Sequence, residues 1–235
     1  MDREQNSPKV IFFDAVGTLF GVRGSVGDIY SQIASKYGVI VAGSEINRAF
    51  GKSFSQASPL AFGELDSVLI PKKEYEWWYR IVKATFQQLN FLDSFTDFEL
   101  FFQELYVYFS TKKPWYIYHD VIDCLEKYRQ KKVELGIISN FDTRIYNVLE
   151  LLNLKSYFST VTISSEVGFA KPDAIIFQIA LKKHNCQPEQ AWHIGDNLRE
   201  DYQGANAANI KAFLLERDKQ KLQLKNQLPN LNSLG

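Results

Sequence analysis

Val10-Ile11-Phe12-Phe13 is an apolar run that stops abruptly at Asp14, and Gly17 follows in the next turn of chain. A run this short, apolar without alternation, suits a strand buried on both faces of a sheet. Four more segments share its character, at residues 133–139, 160–164, 191–194 and 211–215. Helix-like stretches lie around them, over residues 118–130, 144–152, 174–183 and 199–207. Strands alternating with helices predict βαβ units, and so an α/β fold on a Rossmann-like, mostly parallel sheet.

The alternation fails over residues 22–114, which read as helix after helix. Phe98, Phe102, Leu105 and Phe109 stand three and four residues apart, an apolar stripe on one helix face. Pro71 occupies a first helical position ahead of a helix over 72–86. Pro114 marks the return of the alternating pattern. The expected organisation is an α/β core of residues 1–21 and 115–235, with an inserted α-helical cap of residues 22–114. Trp77, Trp78, Tyr79 and the phenylalanines are expected to form the core of that insert. The tail, residues 216–235, is polar and rich in Asn, Gln and Lys, and is expected to be loosely held.

Composition narrows the functional classes. Lys+Arg and Asp+Glu both number 27, so no basic excess points to nucleic acid. The two cysteines, Cys124 and Cys186, form no CxxC pair and no zinc spacing, which suits a reducing compartment. Residues 1–9 hold no apolar signal region, and no run approaches a membrane span. A cytoplasmic protein with no membrane partner is expected; oligomeric state is not legible.

Ligands of open α/β sheets bind beyond the carboxyl ends of the strands. The residues just past each predicted strand therefore carry the functional information. The first strand delivers Asp14, then Gly17 and Thr18; the second delivers Ser139 and Asn140. Past the third, after Glu166 and Gly168, comes Lys171; past the fourth come Asp196, Asn197 and Asp201. Convergence of so many polar groups on one sheet edge points to an active site rather than to unrelated turn residues. Asp14 is a candidate nucleophile, since a carboxylate can form a covalent aspartyl intermediate. Three carboxylates together need a cation, and Mg²⁺ prefers carboxylates, carbonyls and water. Lys171 adds a second positive charge. Thr18, Ser139, Asn140 and Lys171 are candidates for holding a small phosphorylated or otherwise anionic substrate.

In this order and placement, the four sites resemble the signature motifs of the haloacid dehalogenase-like (HAD) superfamily. The first is Asp14-Ala15-Val16-Gly17-Thr18-Leu19. The second is Ser139 in Ile137-Ile138-Ser139-Asn140. The third is Gly168-Phe169-Ala170-Lys171-Pro172-Asp173. The fourth is Gly195-Asp196-Asn197 with Asp201 downstream. The resemblance covers residues 9–21 and 115–215. It implies a HAD-like hydrolase whose cap reads the substrate, with Asp14 and Lys171 catalytic and Mg²⁺ held by Asp14, the Val16 carbonyl, Asp196 and Asp201. A phosphatase working through an aspartyl-phosphate is the leading expectation.

One position departs from the family pattern. Family phosphatases carry a second Asp two residues after the nucleophile, and this chain has Val16. General acid–base catalysis is worth about 10²–10⁴-fold. His193, His119 or a cap residue are the candidate replacements; His193 reads as a core residue and His119 as a surface one. The departure also admits a dehalogenase, which needs no second Asp, although Asp196 stands where dehalogenases usually carry Ser. A phosphonate hydrolase would need a cap lysine such as Lys52. A catalytically weakened binding protein is the remaining alternative.

Overall fold

The structure, a computed structural model, describes residues 7–217, 224 and 226–234. Most of the polar N-terminal stretch, residues 1–6, and residues 218–223, 225 and 235 of the tail lie outside the described residues.

Strand β1 (Val10–Phe13) leads through a loop to a short strand, β2 (Phe20–Val22). Four helices follow, α1 (Val26–Ser35), α2 (Gly43–Gln56), α3 (Ile70–Gln88) and α4 (Phe98–Tyr108). The chain returns through β3 (Trp115–Ile117) and α5 (Val121–Gln130) to β4 (Glu134–Ser139). Then come α6 (Arg144–Leu151), β5 (Thr160–Ile163), α7 (Ser164–Val167), α8 (Ala174–Lys183) and β6 (Ala191–Gly195). A π-helical turn over Leu198–Gln203 continues into α9 (Gly204–Ala207), followed by β7 (Lys211–Leu215) and β8 (Gln227–Leu228).

The main sheet has the order β5-β4-β1-β6-β7-β8, and every pairing in it is parallel. The α/β class expected from the alternation is the class observed. β1 lies inside the sheet, and all four of its side chains are fully buried. Ile11 and Phe13 face one side, in an apolar cluster with Leu125 of α5 and Val148 and Leu149 of α6. Val10 and Phe12 face the other, with Phe177 and Ala180 of α8. Each buried Phe stabilises the fold by about 1.5–3 kcal/mol relative to exposure. Phe13 pairs with Ile137 and Ile194, so β1, β4 and β6 finish almost level. That shared register brings Asp14, Ser139 and Asp196 to one edge.

Helices α1–α4 pack around an apolar cluster of their own, which includes Ile33, Ile46, Val82, Phe86, Phe101, Phe102 and Leu105. Of the expected stripe, Phe102 and Leu105 are buried, while Phe98 and Phe109 pack at its margin. Phe101, which that stripe omits, is fully buried as well. Asp97 starts α4 by accepting the Leu100 N–H on its side chain at 2.9 Å. Pro71 sits in the first turn of α3, where its missing N–H costs nothing. Trp77 is buried with Leu60 and Ile81, whereas Trp78 is half-buried and turns toward the sheet edge.

Two features differ from expectation. The chain leaves and re-enters the α/β layer through an antiparallel pair, β2 with β3, that pairs Phe20 with Ile117 and Val22 with Trp115. Three-residue strands give too little pattern to read. The end of the tail is also not loosely held. Gln227–Leu228 extends the sheet, Leu231 and Leu234 are buried, and the Leu231 N–H donates to buried Asp120 at 2.7 Å. Two leucines in a polar stretch supply the apolar anchorage that its average composition hides.

Candidate active site

The Asp14 N–H donates to the Ile194 carbonyl at 2.8 Å, which fixes the loop as it leaves β1. The Ser139 hydroxyl, at the end of β4, donates to Asp14 Oδ1 at 3.0 Å. Lys171 lies between α7 and α8. Its Nζ donates to Asp14 Oδ1 at 2.6 Å and to Asp201 Oδ1 at 2.5 Å. Asp201 comes from the π-helical turn, and its Oδ2 accepts the Asn197 N–H at 3.0 Å. Gly195 leaves room for this arrangement, since a Cβ there would collide with the Asp201 carboxyl group. Gly17 has φ near +91°, and a Cβ there would strike the Asp196 carboxylate.

The Asn140 side-chain amide holds the Lys171 backbone from both sides. The Lys171 N–H donates to Asn140 Oδ1 at 2.8 Å, and Asn140 Nδ2 donates to the Lys171 carbonyl at 2.9 Å. The same amide donates to Glu200 at 3.1 Å. The Asn140 side chain is therefore committed to positioning Lys171. Thr18 is fully buried, and its hydroxyl donates to Asp196 Oδ1 at 3.3 Å. Val16 is half-buried and lines the cavity beside Asp14.

The electrostatics follow from burying several charges together. Burial pulls Lys171 toward its neutral form, but Asp14 and Asp201 outweigh it and hold the ammonium above its ordinary value. Burial raises the Asp14 carboxyl, and Lys171 opposes that rise without cancelling it. Asp201 is also pushed up by burial, yet Lys171 and His193 bring it well below the carboxylate range. Asp196 is raised to about 7, first by the protein packed around it and then by the charges of Asp14 and Asp201, although its side chain stays open to solvent. His193 is fully buried, and burial depresses its pKa. A neutral ring places Nε2 2.9 Å from Asp201 Oδ1, behind the carboxylates. His119 is exposed.

Asp14, Asp196 and Asp201 each offer a carboxylate oxygen, and these lie within 4.8 Å of one another. One lysine cannot balance three carboxylates, and the charges of Asp14 and Asp201 add to the desolvation that raises the Asp196 pKa. An all-oxygen set of this kind fits a hard divalent cation such as Mg²⁺.

The carboxylates open into a cavity of about 740 Å³ between the sheet edge and the helices. Helix α3 is tied to the segment that follows β4 by polar bonds. Glu74 accepts the Thr143 N–H at 2.9 Å and the Thr143 hydroxyl at 2.5 Å. The Trp78 indole N–H donates to Asp142 at 2.6 Å. Arg144 forms a two-pronged pair with Asp142, at 2.8 and 2.6 Å, and donates to the Tyr106 carbonyl at 3.0 Å. These residues and Glu200 escaped the sequence reading. No motif marks them; Glu74, Trp78, Tyr106 and Glu200 meet partners far away in the chain, and the Arg144–Asp142 pair, two residues apart, forms no recognisable pattern. Lys52 is exposed on α2 and does not line the cavity.

A family profile for haloacid dehalogenase-like hydrolases matches residues 8–209. Haloacid dehalogenase-like hydrolase domain-containing protein 3 of Homo sapiens is 30% identical over 208 residues, spanning 88% of this chain and 81% of its own. Among solved structures, the HAD-type hydrolase YfnB of Bacillus subtilis, determined with magnesium bound, matches with a TM-score of 0.73. It is 15% identical, and the match covers 97% of each chain. A HAD phosphatase from Thermococcus onnurineus matches with a TM-score of 0.64 at 23% identity, over 96% of this chain and 95% of its own. These two likenesses bear on the fold alone. Fold and profile together define an α/β hydrolase. The chain belongs to the haloacid dehalogenase-like hydrolase family.

Proposed function

We propose that this hydrolase is a Mg²⁺-dependent phosphatase acting on small phosphate monoesters, with Asp14 as nucleophile. The observation that carries the reading is the gathering of three carboxylate oxygens within 4.8 Å beside the buried ammonium of Lys171. Asp14 and Asp201 are buried, and buried carboxylates are costly unless cations compensate them.

In the reaction, a carboxylate oxygen of Asp14 attacks phosphorus. The Asp14–phosphorus bond forms as the ester P–O bond breaks, and the electron pair leaves with the alcohol oxygen. Water then attacks the aspartyl-phosphate, releasing inorganic phosphate and restoring the carboxylate. Lys171 orients Asp14 and neutralises charge on the transferring group, and Ser139 holds the attacking carboxylate. Asn140 acts through Lys171, as its positioning residue. Mg²⁺ held by Asp14, the Val16 carbonyl and Asp196, with Asp201 beside them, would supply further charge neutralisation. Val16 cannot protonate the leaving alcohol, so water supplies that proton and good leaving groups react faster. Helices α1–α4 act as the cap that reads the alcohol.

A dehalogenase reading draws on Val16 and on the apolar walls of the cavity. The two additional carboxylates, Asp196 and Asp201, weigh against it. A phosphonate hydrolase lacks its lysine, because Lys52 is exposed and does not line the cavity. A purely binding role gives no reason to assemble Asp14, Lys171, Asp196 and Asp201 together.

The test is phosphate release from a panel of phosphate monoesters, with Mg²⁺ and with EDTA. Release that requires Mg²⁺ is the expected result. Halide release from halo-acids in EDTA, with no phosphate release in either condition, would overturn the proposal in favour of dehalogenation.

A further inference from the structure

Beyond the carboxylates, the cavity runs between the four helices. Its wall there is built from Val26, Tyr30, Phe50, Val82, Phe102 and Leu105. Four of these, Tyr30, Val82, Phe102 and Leu105, are buried members of the helices' own apolar cluster. The cavity is therefore an apolar space continuous with the charged site.

Several polar groups on this wall are already engaged. Arg144 is the charged side chain nearest the apolar end, and it is paired with Asp142 and bonded to the Tyr106 carbonyl. The Trp77 indole donates to the Ser58 carbonyl at 2.8 Å, and the Trp78 indole to Asp142. A polyol entering this space would lose water from each hydroxyl and regain few hydrogen bonds. Two hydroxyls are exceptions: Tyr30, only 3% exposed, and half-buried Tyr106 both line the cavity, and neither hydroxyl has a hydrogen-bond partner among the described residues. They leave room for one or two polar substituents on an otherwise apolar body.

We infer that the site takes phosphate monoesters whose alcohol part is apolar and the size of an aromatic ring, and discriminates against polyol phosphates. This inference rests on the phosphatase reading for the position of the phosphate. A cavity of about 740 Å³ has the size range of small-molecule sites and accommodates a ring with its phosphate.

The test compares 2-phenylethyl phosphate with glycerol 3-phosphate. Both are esters of primary alcohols, so leaving-group chemistry differs little between them. Each is titrated as a competitor of p-nitrophenyl phosphate turnover in the presence of Mg²⁺. The phenylethyl ester is expected to inhibit at ~30- to 100-fold lower concentration, the effect of burying one ring. Equal inhibition, or stronger inhibition by glycerol 3-phosphate, overturns the inference and leaves the phosphatase reading intact. If p-nitrophenyl phosphate is not turned over, the phosphatase reading fails. Quenching of tryptophan fluorescence by the same two esters then decides the pocket separately. Saturable binding of the phenylethyl ester alone supports the apolar pocket, and binding of neither or of both equally overturns it.

Discussion

The Lys171 ammonium lies 2.6 Å from Asp14 Oδ1 and 2.5 Å from Asp201 Oδ1, with its side chain 1% exposed. It is the buried counter-charge around which the carboxylates gather. Replacing it strands two carboxylates in a poorly solvated space. Lys171→Met is expected to lower stability by about 3–5 kcal/mol in urea denaturation, together with loss of turnover. An unchanged denaturation midpoint would show that the lysine does not compensate these charges.

The raised pKa of Asp196, about 7 against an ordinary 3.8, gives a pH signature. The folded state holds this proton more tightly than the unfolded chain does. Without metal, stability is therefore expected to fall as pH rises from about 4 to about 7, relative to an Asp196→Asn variant. Mg²⁺ binds the ionised carboxylate, so its stabilising effect grows across the same window. Thermal melts of both proteins at pH 5, 6, 7 and 8, with and without Mg²⁺, read both effects. Parallel pH profiles for the two proteins would contradict the assignment.

Much of the fold is legible in the sequence because its signals are local. Val10–Phe13 is apolar throughout and so reads directly as a buried strand, and the residue that ends each run marks the site edge. Asp14, Ser139 and Asp196 emerge at strand ends, Asp201 follows in the turn after β6 and Lys171 in the loop after α7, and all gather at one place. The remaining features depend on partners distant in sequence. The Glu74–Thr143 and Trp78–Asp142 bonds exist only once α3 docks against the end of β4. A glutamate and a tryptophan on a helix announce nothing of the kind. Asn140 and Thr18 are expected from the sequence to bind the substrate, and nothing local announces their distant partners. Their residue types suit phosphate binding, but the structure points their side chains at Lys171 and Asp196.

The buried end of the tail carries its own prediction. Leu231 is 1% exposed in the cluster that holds Leu125 and Tyr128. Leu231→Ala is expected to cost about 2–4 kcal/mol in stability. A midpoint equal to wild type in urea would mean that residues 226–234 contribute nothing to the core.

On the phosphatase proposal, Val16 is expected to set the leaving-group dependence. A carboxylic acid at this position can protonate the departing alcohol. Val16→Asp is expected to raise turnover of alkyl phosphates by ~10²-fold or more. It should act far less on p-nitrophenyl phosphate, whose leaving group needs no acid. Steady-state rates on both esters check this, and equal effects on the two would rule out missing acid catalysis as the consequence of Val16.

The role of Asp14 as nucleophile is tested most directly by Mg²⁺-dependent phosphate release from wild type and Asp14→Asn, with circular dichroism confirming that both are folded. The expected result is a loss of at least ~10³-fold in the variant with the fold intact. Release by Asp14→Asn at the wild-type rate would contradict the account.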